Sequence, residues 1–134
     1  MTAEASGTDA AVPPRRRDTV LAAIEIFRKL EIGVTTSNIV TFLYLCENEG
    51  IGMTELGALA GLHPTTAARS IRTLGVKGAR WALPPFLGLV EVLDSGPTRN
   101  SRTLRLTAEG ATVRDRINQL IAAAIPITST PPRG

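Results

Sequence analysis

Residues 53–75 read MTELGALAGLHPTTAARSIRTLG. Two short helical patterns flank three residues that belong to neither. Thr54–Ala60 forms the first, with Leu56 and Ala60 inward, and Gly61-Leu62-His63 makes a tight turn. Pro64 follows at the first helical position, where proline is tolerated because that N–H has no helical partner anyway. Ala67, Ile71 and Leu74 then recur at i, i+4 and i+7, one apolar stripe on one helix face. Gly75 and Gly78 stop the second helix. If that stripe lies on a core, Thr65, Thr66, Ala68, Arg69 and Arg72 are forced outward.

The surroundings of this pair supply the rest of a domain. Val20, Ile24, Phe27 and Leu30 recur at helical steps with Arg28 and Lys29 facing away, and Gly33 ends that helix. TTSNIVTFLYLCENEG (35–50) predicts a second helix. Its apolar residues Ile39, Val40, Phe42, Leu43, Leu45 and Cys46 wrap most of the surface, so it should be central and buried. LGLVEVL (87–93) and SRTLRL (101–106) read as strands joined by DSGPTRN, a turn with a polar, basic tip. Thr107 reads as an N-cap with Glu109 in the first turn of a last helix, which carries Val113, Ile117, Leu120, Ile121 and Ala124 inward and is stopped by Pro126. Residues 1–14 and 126–134 are expected to be disordered tails around one domain, 15–125.

A chain of 134 residues suffices for one core. Its aromatic fraction is 4%, so that core must be aliphatic. One cysteine and one histidine leave no internal disulfide and no thiolate–imidazole metal cluster. Nucleophilic catalysis would have only His63 as its base, no pair of acids is framed by a pocket-like stretch, and a phosphate-cradling GxxxxGK[ST] loop is missing. An enzyme is therefore not expected, and no cofactor is called for. No apolar run approaches the ~18 residues of a membrane span. The opening MTAEASGTDAAVPP is not a secretion signal, so a cytoplasmic protein is the expectation.

The net charge of +3 is unevenly spread. No acid occurs between Glu55 and Glu91. From Leu56 to Ala108, seven basic residues face two acids, a net of +5, and the rest of the chain sums to −2. A positive field confined to one segment is what a polyanion-binding surface requires. The order helix, tight turn, helix, basic hairpin is that of a mainly α winged helix-turn-helix, a three-helix core plus a β-hairpin wing with further N- and C-terminal helices. In that arrangement short hydroxyls at the start of the second helix let its backbone approach base edges. Arg69 reaches guanine acceptors or a phosphate, and the helix N-terminus offers free N–H groups to phosphate. Thr98, Arg99, Asn100, Ser101 and Arg102 at the hairpin tip would enter a minor groove or clamp the backbone.

Residues 36–121 resemble the MarR-type transcriptional regulators. The resemblance rests on MTELGALAGLHPTTAARSIRTLG, on LGLVEVL, and most specifically on SRTLRLTAEGATVRDRI, which looks like the family's wing strand running through LT-x-x-G into the next helix. It implies a homodimer whose terminal helices pair between subunits and whose recognition helices (64–74) enter successive major grooves of a near-palindromic double-stranded DNA site. It carries DNA-reading roles onto Thr65, Thr66, Arg69 and Arg72, and onto Arg99 and Arg102 of the wing (95–102). A small-molecule effector is implied as well, without a visible sensor residue.

The sequence also departs from that pattern. Gly57, Ala58 and Ala60 lighten the first helix of the pair, which should pack loosely, and the terminal helices are short for a family that dimerises through long ones. VKGARWALPPFLG (76–88) is longer than the usual link. It reads as a loop pinned by Trp81 and Phe86, or as an extra DNA or ligand contact through Lys77 and Arg80. That loop also motivates the alternative of a winged-helix module that chiefly binds protein and has only non-specific DNA affinity. Cys46 reads as structural, since neighbouring Glu47 and Glu49 would raise its pKa rather than activate it. Arg15, Arg16 and Arg17 fit a DNA-contacting arm or a solvated helix start equally well.

Overall fold

The computed structural model describes residues 17–94, 96–97 and 102–128. Their elements run α1 (Thr19–Leu30), α2 (Thr36–Cys46), α3 (Met53–Leu59), α4 (Pro64–Thr73), β1 (Val90–Asp94), β2 (Arg102–Leu106) and α5 (Ala108–Ala122). The expected tail 1–14 lies outside the described residues, as does most of the expected tail 126–134.

Side chains that accept from orphan helix N–H groups set most of the starts. The Asp18 carboxylate accepts from Leu21 N–H at 2.8 Å to open α1. Thr35 Oγ1 accepts from Asn38 N–H at 3.0 Å, and Asn38 Oδ1 accepts from Thr35 N–H at 3.0 Å, a reciprocal capping box that opens α2. His63 Nδ1 accepts from Thr65 N–H at 3.2 Å, with Pro64 at the first position of α4. Thr107 Oγ1 accepts from Gly110 N–H at 3.0 Å to open α5.

The core is aliphatic apart from Phe27 of α1 and Phe42 of α2, whose rings meet edge-on at 5.7 Å and 74°. Around them are buried Leu45, Leu56, Ile71, Leu74, Leu89, Leu104 and Val113, contributed by every layer of the chain. α4 lies against α2 and α3, and α1 lies against α5. The hairpin pairs Val90 with Leu106, Val92 with Leu104 and Asp94 with Arg102 in antiparallel register. The far edge of β2 is occupied too. Gly50 N–H donates to Leu104 O at 2.8 Å, Leu104 N–H donates to Ile51 O at 2.8 Å, and Leu106 N–H donates to the Glu49 carboxylate at 3.0 Å.

Several expectations need correction. The first strand starts at Val90, not residue 87, because the backbone of Leu87 and Leu89 is spent on Thr73 O and Leu74 O at the end of α4. α2 is not buried all round: Leu43 and Tyr44 are exposed, and its inward face includes the polar Asn38 and Thr41 beside Phe42 and Leu45. On α1 the expected inward stripe holds only at Phe27. Ile26 and Phe27 face the core, while Val20, Ile24 and Leu30 remain exposed. Nor is α3 loosely packed. A Cβ at Gly57 would stand 2.6 Å from the Ala67 Cβ, so glycine there lets α3 and α4 touch closely.

Candidate nucleic-acid interface

α4 is held from behind by both apolar and polar anchors. Ala67, Ile71 and Leu74 are buried as the stripe requires. Beside them Asn38 Nδ2 donates to Ser70 O at 3.1 Å and to Thr73 Oγ1 at 2.7 Å, and Thr73 Oγ1 donates to Ser70 O at 3.0 Å. These groups are buried, so their hydrogen bonds are costly to lose and fix the rotation of α4 about its own axis. Sequence reasoning misses Asn38 as the residue that orients α4. Its only sequence signal is its place three residues after Thr35.

That rotation exposes Thr65, Thr66 and Arg69. Among the described residues Arg69 has no ion pair. The same spacing carries Arg72 to the outward side, but it is half-buried there. Its Nε donates to the Trp81 carbonyl at 2.8 Å, so it is engaged by the 76–88 connection instead of projecting freely as expected. His63 stands at the doorway of the helix as a cap, accepting an N–H through Nδ1. No group of three or more His, Cys, Asp or Glu suited to hold a metal occurs among the described residues.

The hairpin places its cations differently. Arg102, at the hairpin's mouth, lies 3.3 Å from Asp94, and Arg105 lies 2.6 Å from Glu91, all four at least partly exposed. These cross-strand pairs put the segment's only two acids against its own arginines. Among the described residues the remaining cations of the segment therefore sit on α4 and the connection after it. Exposed pairs of this kind contribute little to stability, about 0–1 kcal/mol, so a phosphate can take over the arginine at small cost. Thr98, Arg99, Asn100 and Ser101, expected at the wing tip, lie outside the described residues, as do Arg15 and Arg16.

The connection 76–88 is a built loop. Leu83 N–H donates to Arg72 O at 2.9 Å, Leu87 N–H to Thr73 O at 2.9 Å and Gly88 N–H to Gly75 O at 3.0 Å. Ala82 is buried, and Trp81 packs down so closely that a Cβ at Gly75 would sit 2.8 Å from its ring. Phe86 adopts φ +54° and Pro84-Pro85 is cis. The loop leads into the motif LTAEG. There Thr107 Oγ1 also donates to Gly88 O at 2.7 Å, and a Cβ at Gly110 would stand 2.2 Å from Leu89 O. Threonine and glycine at that spacing thus seat the start of α5 directly on the strand entry.

Two further features lie away from α4. Cys46 is half-buried, and burial pushes its thiol up to about 11, with Glu49 and Glu47 adding to the shift and Arg114 opposing it. A thiol so placed is protonated at neutral pH and unreactive. A cleft of about 300 Å³ between α1 and α5 is lined by Arg17, Glu25, Lys29, Arg116 and Gln119. Glu25 is already hydrogen-bonded by Arg28, which holds its carboxyl below the usual range. No helix among the described residues is long and apolar enough to cross a membrane.

No protein-family model and no curated protein matches the chain. Solved structures do. A MarR transcriptional regulator from Methanosarcina mazei Go1 superposes with a TM-score of 0.54 at 18% identity, covering 78% of this chain and 65% of that one. The PcaV transcriptional regulator from Streptomyces coelicolor superposes with a TM-score of 0.51 at 23% identity, covering 78% of this chain and 71% of that one. The chain thus spans just under two thirds of the first structure's length. At these identities the likeness establishes the fold, a MarR-type winged helix, in agreement with the element order read from the sequence.

Proposed function

We propose that this protein is a sequence-specific, double-stranded DNA-binding transcriptional regulator of MarR type, without catalytic activity, which binds near-palindromic sites as a homodimer. One observation carries the reading. α4 is fixed on its inner side by a buried stripe and by Asn38, and on its outer side it presents Thr65, Thr66 and Arg69. A helix held that firmly with small hydroxyls and an unpaired guanidinium outward suits a major groove, where arginine recognises guanine O6 and N7. The wing, 95–102, supplies Arg99, Asn100, Ser101 and Arg102 to the backbone or the adjacent minor groove. The homodimer is supported by the apolar residues left exposed on α1 and on the last turns of α5, among them Val20, Leu21, Ile24 and Ile121.

Selection of bound sequences from random duplex DNA at physiological salt tests this. The expected result is an enriched site of two inverted half-sites about one helical turn apart. Arg69→Ala should then cost about 1–3 kcal/mol and relax preference at one base position. Absence of any enriched sequence, or an Arg69→Ala variant that binds the selected site unchanged, overturns the assignment. The rival role, protein binding through 76–88, has little support from a loop whose tryptophan is packed inward.

A further inference from the structure

On α4 the residues at i, i+4 and i+7 from Thr65 are Arg69 and Arg72, so all three share one side of the helix. Arg72 is nevertheless half-buried, and what covers it is the chain's own connection. Its side chain donates to Trp81 O at 2.8 Å and its main-chain carbonyl accepts from Leu83 N–H at 2.9 Å. The connection therefore lies over the C-terminal end of the outward side of α4 and stays there, clamped by Arg72 and by Trp81 against Gly75. It carries Lys77 and Arg80, both at least partly exposed and both without an ion pair among the described residues. Arg80 immediately precedes the residue whose carbonyl Arg72 holds. No acid occurs from Leu56 to Val90 to offset this group. Arg69, Arg72, Lys77 and Arg80 thus follow one another with no acid among them, and an anion laid along this stretch meets no like charge.

We infer that residues 76–81 are a second phosphate-contacting element, which continues the recognition surface past the end of α4 through Lys77 and Arg80, with Arg72 as the positioning residue that holds the loop there. The inference rests on the DNA-binding reading above. It assigns the length of this connection a role and makes Arg72 a strut. Lys77 and Arg80 add affinity for duplex DNA of any sequence, because phosphates carry no base identity.

The experiment uses the full chain and the DNA site recovered by selection. Binding is measured over a range of salt for the parent, for Lys77→Ala/Arg80→Ala and for Arg72→Ala/Lys77→Ala/Arg80→Ala. The double variant should show a plot of log K against log salt shallower by about 1.8, roughly 0.9 for each phosphate left without its cation. Its base preferences and thermal midpoint should match the parent's. The triple variant should have the slope of the double, while Arg72→Ala alone should speed hydrogen exchange at the Leu83 amide in the absence of DNA. A parent that binds its selected site and a double variant with an unchanged slope would overturn the inference and leave the DNA reading standing. A double variant with altered base preference, or a triple shallower than the double, overturns the roles assigned to the loop and to Arg72 respectively. A parent with no selected site removes both readings.

Discussion

The two ends of the molecule handle their apolar residues in opposite ways. Around α3, α4 and the first turn of α5, several contacts are cut to size. Gly57 admits the Ala67 methyl, Gly110 admits the Leu89 carbonyl, and Asn38 satisfies two buried acceptors on α4. Around α1 and the last turns of α5 large apolar side chains stay in solvent, with Val20 at 55% and Ile24 at 48% exposed. The first end buries most of its large apolar side chains within one chain, with Leu59, Val76 and Leu93 left in solvent. The second has more apolar surface than one chain buries, and fully burying such a side chain is worth about 1.5–3 kcal/mol. The end proposed to read DNA is thus fixed internally, and the other carries the exposed apolar side chains that the proposed homodimer would cover.

The comparison can be broken by substitutions at either end. The largest effect is expected from Gly110→Ala. A methyl 2.2 Å from a main-chain oxygen forces α5 off the strand entry, for a loss on the order of 3 kcal/mol in denaturant unfolding. A variant as stable as the parent would show that this junction is looser than its distances say. Asn38→Ala should come next, at about 2 kcal/mol by thermal unfolding, since it takes a buried donor from the Ser70 carbonyl and from Thr73 Oγ1 and breaks the capping box with Thr35. The smallest effect on the protomer itself is expected from Val20→Ser with Ile24→Ser, within about 0.5 kcal/mol per site for exposed positions. The same pair should weaken self-association in sedimentation equilibrium. A parent that sediments as a monomer at every concentration tested would end the account of α1.

Much of the first end is legible in the sequence because its signals are local. Pro64 with His63 before it, the 67/71/74 stripe, and Thr107 with Gly110 each act within one or two helical turns, and sequence spacing reports them directly. What spacing cannot report depends on partners far along the chain. Asn38 meets Ser70 and Thr73 across 32 and 35 positions, and a polar residue inside an apolar helix looks like surface until those partners are known. Periodicity turns Arg72 outward, and it cannot show that a later loop returns to cover it. The α1 stripe fails for another reason. Helical spacing finds faces, and α1 has more apolar residues than one face holds, so nothing local says which group is inward. At the wing the pairing of Arg102 with Asp94 and Arg105 with Glu91 depends on strand register, which the turn sequence alone does not specify.

The Thr107 hydroxyl, bonded at once to Gly110 N–H and Gly88 O, marks where this scaffold can be cut. Inward of the Val90–Leu106 pair the chain is welded: α5, the connection and the strand entries share atoms at contact distance, and Gly50 and Ile51 hold Leu104 on the other edge. The next pair out, Asp94 with Arg102, is exposed and joined by an ion pair. For an engineer the tip is a cartridge. Segments of other length and charge can be exchanged beyond that rung while the weld keeps their aim.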